Sequence, residues 1–333
     1  MHGLRIGTLE PGPRNSIADV PGVRVGHVTV ARDEPEPPEG RGVARTGVTA
    51  IAPPALPLPA GVAVLNGAGE LTGSLQVREW GVLETPIYLT ATMAVGRVYD
   101  GAVTAAVAAD TAVGTSTVVI PVVGECDDSW LSEARVVQVE AGDAGRALAA
   151  ASDEVEQGAV GAGAGMVCFG YKGGIGSASR VAGAVVGVLV LANFGDPRDL
   201  RVDGVPVGRL LAAPSSGPRG AGSCIAVVAT DAPLGSAQLE RIARRAGLGL
   251  ARTGSVAHHG SGEIFLAFST AQDADPLPDA DLDELFTATV EATEAAVLNA
   301  LWSATTTTGR EGRVVHALPH DELLALLASH GRR

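Results

Sequence analysis

Seven short apolar runs constrain this chain more than any other feature, because they are too continuous to alternate in and out of water. They are Val48–Ala52, Val62–Leu65, Thr117–Val123, Met166–Phe169, Val185–Leu191, Cys224–Thr230 and Ile264–Ser269. A half-exposed strand shows a period of two; a run that is apolar at nearly every position belongs to a strand covered on both faces. Helix candidates lie between and after them: Ala102–Ala112, Ala144–Ala151, Ser236–Ala251 with Ser236 as N-cap, Asp281–Ser303, and Leu323–Leu327 behind Pro319. Aromatic residues are only 3% while glycine numbers 44, so the layers must pack through small side chains. No internal repeat or heptad pattern interrupts this organisation.

Charge and cysteine content narrow the function classes. Asp plus Glu is 37 against 24 Lys plus Arg, a formal net charge of −13, which is the wrong sign for a phosphate backbone, so no nucleic acid partner is expected. The one basic cluster, Arg241, Arg244 and Arg245, has helical spacing and reads as a solvated helix face. Met1–Arg14 has no apolar run of signal-peptide length, and no stretch of about 18 apolar residues follows. The expectation is a cytoplasmic protein with no membrane partner. Three cysteines without CxxC spacing argue against a disulfide framework or zinc site, and Cys168 and Cys224 read as small core residues. HExxH is missing, and in Lys172–Ser177 the lysine precedes the glycines, so the phosphate-loop spacing is unmet. No cofactor or metal is expected, and Lys172–Ser177 reads as a tight connection beside the active site.

Two segments read as mobile loops, Asp33–Gly42 and Leu211–Gly222. The second ends in Gly222, and Ser223 then opens the apolar run Cys224–Thr230. A serine hydroxyl needs a base. No GxSxG elbow surrounds any serine, and the rival base, His258-His259, reads as a polar turn. The alternative is a serine that becomes its own base. Cutting Gly222–Ser223 would give Ser223 a free α-amine of pKa roughly 8, part neutral near pH 7 and within reach of its own hydroxyl. Glycine before the serine suits the backbone geometry that such a cut requires.

The surrounding residues carry a family resemblance. Gly222–Leu234 (GSCIAVVATDAPL) resembles the nucleophile segment of the L-aminopeptidase/D-esterase family, which includes the β-peptidyl aminopeptidases. Asn15–Gly26, Leu65–Gly73, Lys172–Arg180, Arg252–Ser269 and Thr308–Arg313 are similar to other blocks of that family in the same order. The resemblance implies an α/β fold of four layers, an αββα sandwich with two stacked sheets between helices. It implies self-cleavage into residues 1–222 and 223–333, association of the two fragments, and a homo-oligomer, often a tetramer. Carried over position by position, it implies Ser223 as nucleophile and Asn193 as oxyanion donor. Ser261 and Glu263 would hydrogen-bond around the nucleophile and its amine, and Glu125 would receive the substrate's ammonium. Asp127 stands where some relatives have tyrosine, which removes whatever that hydroxyl does and adds an acid that would favour a more cationic substrate; Trp130 is no substitute.

The implied activity is release of N-terminal residues from small peptides, peptide amides or β-peptides. A related amide hydrolase acting on pantetheine-type or oligoamide substrates keeps the same machinery. An uncleaved binding protein of the same fold is the third reading.

Overall fold

The computed structural model describes residues 4–212, 222–272 and 275–332. The chain opens with β1 (Arg24–Asp33), β2 (Val43–Ala52) and β3 (Leu58–Gly67), then α1 (Ser74–Trp80), β4 (Val82–Leu83), β5 (Ile87–Ala91), α2 (Val95–Ala109), β6 (Val122–Cys126) and α3 (Gly142–Ala149). A tight hairpin, β7 (Val167–Cys168) and β8 (Tyr171–Lys172), precedes β9 (Gly174–Ala182), β10 (Ala184–Asn193) and α4 (Val207–Leu210). The remainder is β11 (Ser223–Thr230), α5 (Ser236–Arg252), β12 (Gly262–Ser269), α6 (Asp283–Ser303), β13 (Thr307–Thr308), β14 (Val314–Val315) and α7 (His320–Ser329).

Two sheets hold the molecule together, a four-stranded one in the order β1-β2-β5-β6 and a six-stranded one in the order β4-β3-β12-β11-β10-β9. The residue parity of β11 explains its unbroken apolar run. Ile225, Val227 and Ala229 enter the core between the sheets, with Ile51, Ile87, Leu89 and Val122 from the four-stranded sheet. Cys224, Ala226 and Val228 face the other way, into a core shared with Leu239, Ile242 and Ala246 of α5 and Ala292 and Ala296 of α6. On the far side, Val48, Ala50, Tyr88 and Val123 pack against Val98 and Ala102 of α2 and Ala144 and Ala147 of α3. The result is the four-layer αββα sandwich. Glycine sets how closely the layers approach: a Cβ on Gly176 of β9 would lie 1.9 Å from the Ala296 carbonyl of α6.

The expected strands over Val48–Ala52, Val62–Leu65, Val185–Leu191, Cys224–Thr230 and Ile264–Ser269 lie within β2, β3, β10, β11 and β12. Three expectations need correction. Residues 117–121 do not form strand, because β6 meets β5 only from Val122 onward and Val118 is 81% exposed. Met166–Phe169 yields only the two residues of β7, since Phe169 and Gly170 turn the chain with positive φ. Lys172–Ser177 is not a connection: Gly174 opens β9, which pairs along nine residues with β10. Its small polar residues hide the strand in the sequence, yet Ser177 and Ser179 are buried and accept the backbone N–H groups of Ile17 and Gly12.

Among the helices, α2 lies earlier than expected, α5 takes Gly235 rather than Ser236 as N-cap, and a 3-10 turn over Asp279–Leu282 leads into α6. Arg241 and Arg244 of α5 are paired with Asp279 and Glu240, while Arg241 and Arg245 lie over the Phe286 ring. Cys168 and Cys224 are buried and free. Asp33–Gly42 joins β1 to β2. Of the loop expected over Leu211–Gly222, residues 213–221 lie outside the described residues.

Candidate active site

Sheet topology gathers the site. Strands β11 and β12 run parallel, so Ser223 and Gly262 begin side by side at one edge. Strand β10 runs antiparallel to β11 and ends at Asn193, directly opposite Ser223. From the other sheet, the end of β6 brings Glu125. Ser223, Asn193 and Glu125 all line one cavity of about 870 Å³, together with Gly69, Glu70, Thr92, Asp127, Trp130, Arg310 and Arg313.

Gly222 shows why the residue before Ser223 is glycine. Its φ is +145°, and a Cβ there would lie 1.9 Å from the Asn193 carbonyl oxygen. A side chain would therefore push β11 away from β10 at Ser223 itself. Ser223 is only 7% exposed, and its Oγ accepts the Gly262 backbone N–H at 3.1 Å. A donor aimed at this oxygen stabilises the negative charge that builds on it as its proton leaves.

The residues flanking Gly262 complete this corner. Ser261 donates its hydroxyl to Glu263 Oε1, so the pair inferred from i, i+2 spacing is in contact. Burial raises the Glu263 carboxyl above its ordinary pKa, with the Ser261 hydrogen bond and the nearby His258 working against that rise. Its Oε2 is buried and has no hydrogen-bond partner among the described residues. An acceptor in that state is suited to an amine brought close to it. Neither His258 nor His259 lines the cavity; the His258 carbonyl accepts the Ser261 N–H and Asn66 Nδ2 in nearby turns.

Asn193 is held at both ends of its carboxamide. Oδ1 accepts the Val167 backbone N–H at 2.8 Å, and Nδ2 donates to the Asp127 carbonyl at 2.8 Å. These two bonds determine which end is nitrogen. One of the two Nδ2 protons is thus committed, leaving the other for a group in the cavity.

Glu125 is 3% exposed. Burial raises its pKa, opposed by hydrogen bonds from the Thr92 hydroxyl and the Glu70 backbone N–H and reinforced by the charges of Asp127 and Glu70. Asp127 is present in the cavity wall, but both its carboxylate oxygens bind Ser129, so its side chain is occupied with its own turn. Trp130 lies under the Arg313 guanidinium, 4.3 Å from its ring centre.

Sequence reasoning missed Gly262 N–H, Val167 N–H and the Asp127 carbonyl, which are backbone groups that every residue carries. It also missed Thr92, Arg310 and Arg313 as cavity residues. For the two arginines a signal existed, since both stand in the Thr308–Arg313 block.

Comparison with known proteins adds a family to this geometry. The model of peptidase family S58 matches residues 15–315. A β-peptidyl aminopeptidase, BapA of Sphingosinicella microcystinivorans, is 40% identical, the alignment covering 97% of this chain and 90% of that relative. The PH0078 protein of Pyrococcus horikoshii OT3 superposes with a TM-score of 0.93 at 43% identity, over 99% of this chain and 98% of that one. The L-aminopeptidase D-Ala-esterase/amidase of Ochrobactrum anthropi, described as a variant of the Ntn hydrolase fold, superposes with a TM-score of 0.92 at 36% identity, over 99% and 98%.

Proposed function

The chain belongs to peptidase family S58 and is a hydrolase of the N-terminal-nucleophile fold, a serine aminopeptidase or amidase; from that premise we propose that it cuts itself between Gly222 and Ser223 and then uses Ser223 on short peptides. The observation that carries this reading is the Asn193–Ser223 pair across β10 and β11, with Gly262 N–H on Ser223 Oγ. In the first step Ser223 Oγ attacks the Gly222 carbonyl carbon, the peptide C–N bond breaks, and the hydroxyl proton passes to the departing nitrogen, which keeps its own proton and becomes the α-amine of Ser223. Water then hydrolyses the resulting ester, freeing the hydroxyl and leaving a carboxylate on Gly222.

In turnover, the α-amine takes the Ser223 hydroxyl proton, directly or through water, as Oγ adds to the substrate carbonyl. The second Nδ2 proton of Asn193 donates to the developing oxyanion, and removing such a donor typically costs about 3 kcal/mol in the barrier. The proton passes to the leaving amine, and water resolves the acyl-enzyme. Glu263, with its open Oε2 and its bond from Ser261, holds the α-amine in place. Glu125 receives the ammonium of the substrate's first residue, which restricts the enzyme to substrates with a free amino end, α- or β-peptides and peptide amides among them.

The fragments 1–222 and 223–333 would remain one molecule, and a homo-oligomer, a tetramer in the family pattern, belongs to the same proposal. The exposed apolar side chains Leu75 and Trp80 of α1 support such an interface. Among the described residues no helix is long and apolar enough to cross a membrane, and a cytoplasmic location is part of the reading.

Intact-mass measurement of the purified protein tests it. Two fragments ending at Gly222 and beginning at Ser223 are expected, and a Ser223→Ala variant should remain one inactive chain. A cut elsewhere, or cleavage that persists in Ser223→Ala, removes Ser223 from the mechanism.

A further inference from the structure

Lys172 stands outside every step above, yet its placement is unusual for a charged side chain. It is fully buried in β8, and its Nζ donates to three backbone carbonyls: Gly163 at 2.9 Å, Met166 at 2.8 Å and Gly173 at 2.9 Å. An ammonium has three protons and no acceptor, so these carbonyls use all of them. The Met166 carbonyl belongs to the same peptide unit as the Val167 N–H, and that N–H is the donor to Asn193 Oδ1. A continuous line therefore runs from the Lys172 ammonium, through one peptide group, into the carboxamide of Asn193. The Gly173 N–H joins it by donating to the Met166 carbonyl at 3.0 Å.

We propose that Lys172 is a positioning residue for acyl transfer, its ammonium acting through the Met166–Val167 peptide to orient and polarise the Asn193 carboxamide. This rests on the reading of Asn193 as oxyanion donor. Two physical effects combine. A cation on a peptide oxygen shifts electron density from nitrogen toward oxygen, which makes the N–H of the same unit a stronger donor. That N–H on Asn193 Oδ1 does the same to the next amide, so the free Nδ2 proton becomes a stronger donor to the developing oxyanion. Chains of hydrogen bonds strengthen one another in this way by roughly 10–30% per bond, and a charged head raises the effect. The second effect is mechanical. Three carbonyls, one from the 3-10 turn over Gly161–Gly165 and one each from the residues just before β7 and β9, are tied to one point, which fixes the Val167 N–H to which Asn193 is pinned.

Burial pushes the Lys172 pKa down to about 7, while the Asp128 and Cys168 side chains, the titratable groups whose fields reach it, push it back up. Three carbonyl acceptors favour the ammonium, because a neutral amine offers only two protons to the three of them.

The test is a double-mutant cycle on self-cleaved enzyme, with rates normalised to the amount of Ser223 amino terminus. Asn193→Ala should lower kcat by about 10²–10³. Lys172→Met, of similar length but without charge, should lower kcat by about tenfold with KM changed by less than about twofold. The decisive sample carries both substitutions: if Lys172 acts through Asn193, its kcat equals that of Asn193→Ala alone within about twofold. A double variant that loses the product of the two single effects overturns the proposal, as does Lys172→Met at wild-type kcat. If Asn193→Ala alone keeps the wild-type rate, it is the oxyanion reading that fails, which separates the two failures. Should Lys172→Met not accumulate as folded protein, ¹⁵N NMR of Lys172 in the wild-type enzyme decides instead. An ammonium whose loss with rising pH lowers kcat without moving KM supports the relay; a neutral amine from pH 6 upward, or a titration that leaves kcat unchanged, overturns it.

Discussion

Each oxygen of Glu125 already accepts one hydrogen bond, Oε1 from the Glu70 backbone N–H and Oε2 from the Thr92 hydroxyl. A carboxylate has about four lone-pair sites, so two remain for a substrate ammonium. N-acetylation would replace that ammonium by a neutral amide and leave a buried carboxylate unpaired, a loss of about 2–5 kcal/mol. Acetylated peptides should therefore be nearly inert, and Glu125→Gln should narrow the gap between free and acetylated substrates by weakening the free one. Equal turnover of the two substrates by wild type would return the pantetheine-type or oligoamide reading to the front. The pH dependence has a definite sign. In the proposed role Glu125 must be ionised to bind the ammonium, and its pKa is raised by burial. The acid limb of kcat/KM should accordingly fall at a pH above the ordinary carboxylate value of 4.5. A limb centred below that value would mean that another group controls binding.

At the scale of elements, β9 and α6 illustrate what the high glycine content does. With a Cβ on Gly176 the Ala296 carbonyl would lie 1.9 Å away and the Ala300 Cβ 2.8 Å away. Neither neighbour is a flexible side-chain end, so the helix must lift or the strand must bend. Gly176→Ala should lower stability by about 1–3 kcal/mol, as overpacking a tight contact does. Thermal melting of the variant reads this, and an unchanged midpoint would mean that α6 rests on β9 less closely than the structure indicates. The same close approach lets a protein with 3% aromatic residues fill its layers with alanine and valine.

For the molecule as a whole, the six-stranded sheet decides what self-cleavage can do. In the order β4-β3-β12-β11-β10-β9, the two central strands belong to residues 223–333 and the outer four to residues 1–222. Separating the fragments would break the β12–β3 and β11–β10 ladders and expose both cores. The two fragments should co-elute on a sizing column under native conditions and part only in strong denaturant. Independent elution would contradict the shared sheet. Acid stability follows from Glu133, whose side chain is 1% exposed and pairs with Arg135 at 2.6 Å. That hydrogen bond holds the Glu133 pKa near 2 against an ordinary 4.5. A depressed carboxyl contributes stability that is fully present above pH 4.5 and fades as pH falls toward 2. Glu133→Gln should flatten the loss of melting temperature across that window, and an undiminished slope would assign acid unfolding to other carboxylates.

The apolar runs by themselves determined the central strands and their coverage on both faces, because solvent exclusion acts on each residue wherever its partners lie. Gly222-Ser223 at the head of such a run, read with the ordered family blocks, also marked the proposed nucleophile and pointed to Asn193, Ser261, Glu263 and Glu125 as its candidate neighbours. What the one-dimensional order could not hold was which groups meet. Strand β9 escaped notice because its serines are satisfied by the distant backbone of Gly12 and Ile17. Val118 lies in an apolar run but is 81% exposed and belongs to no strand ladder among the described residues. The Gly262 N–H on Ser223, the two bonds that fix Asn193, and the Lys172 ammonium among three carbonyls depend on backbone groups that all residues share. Only tertiary structure, by choosing the register and direction of β10, β11 and β12, gives those uniform groups their separate roles.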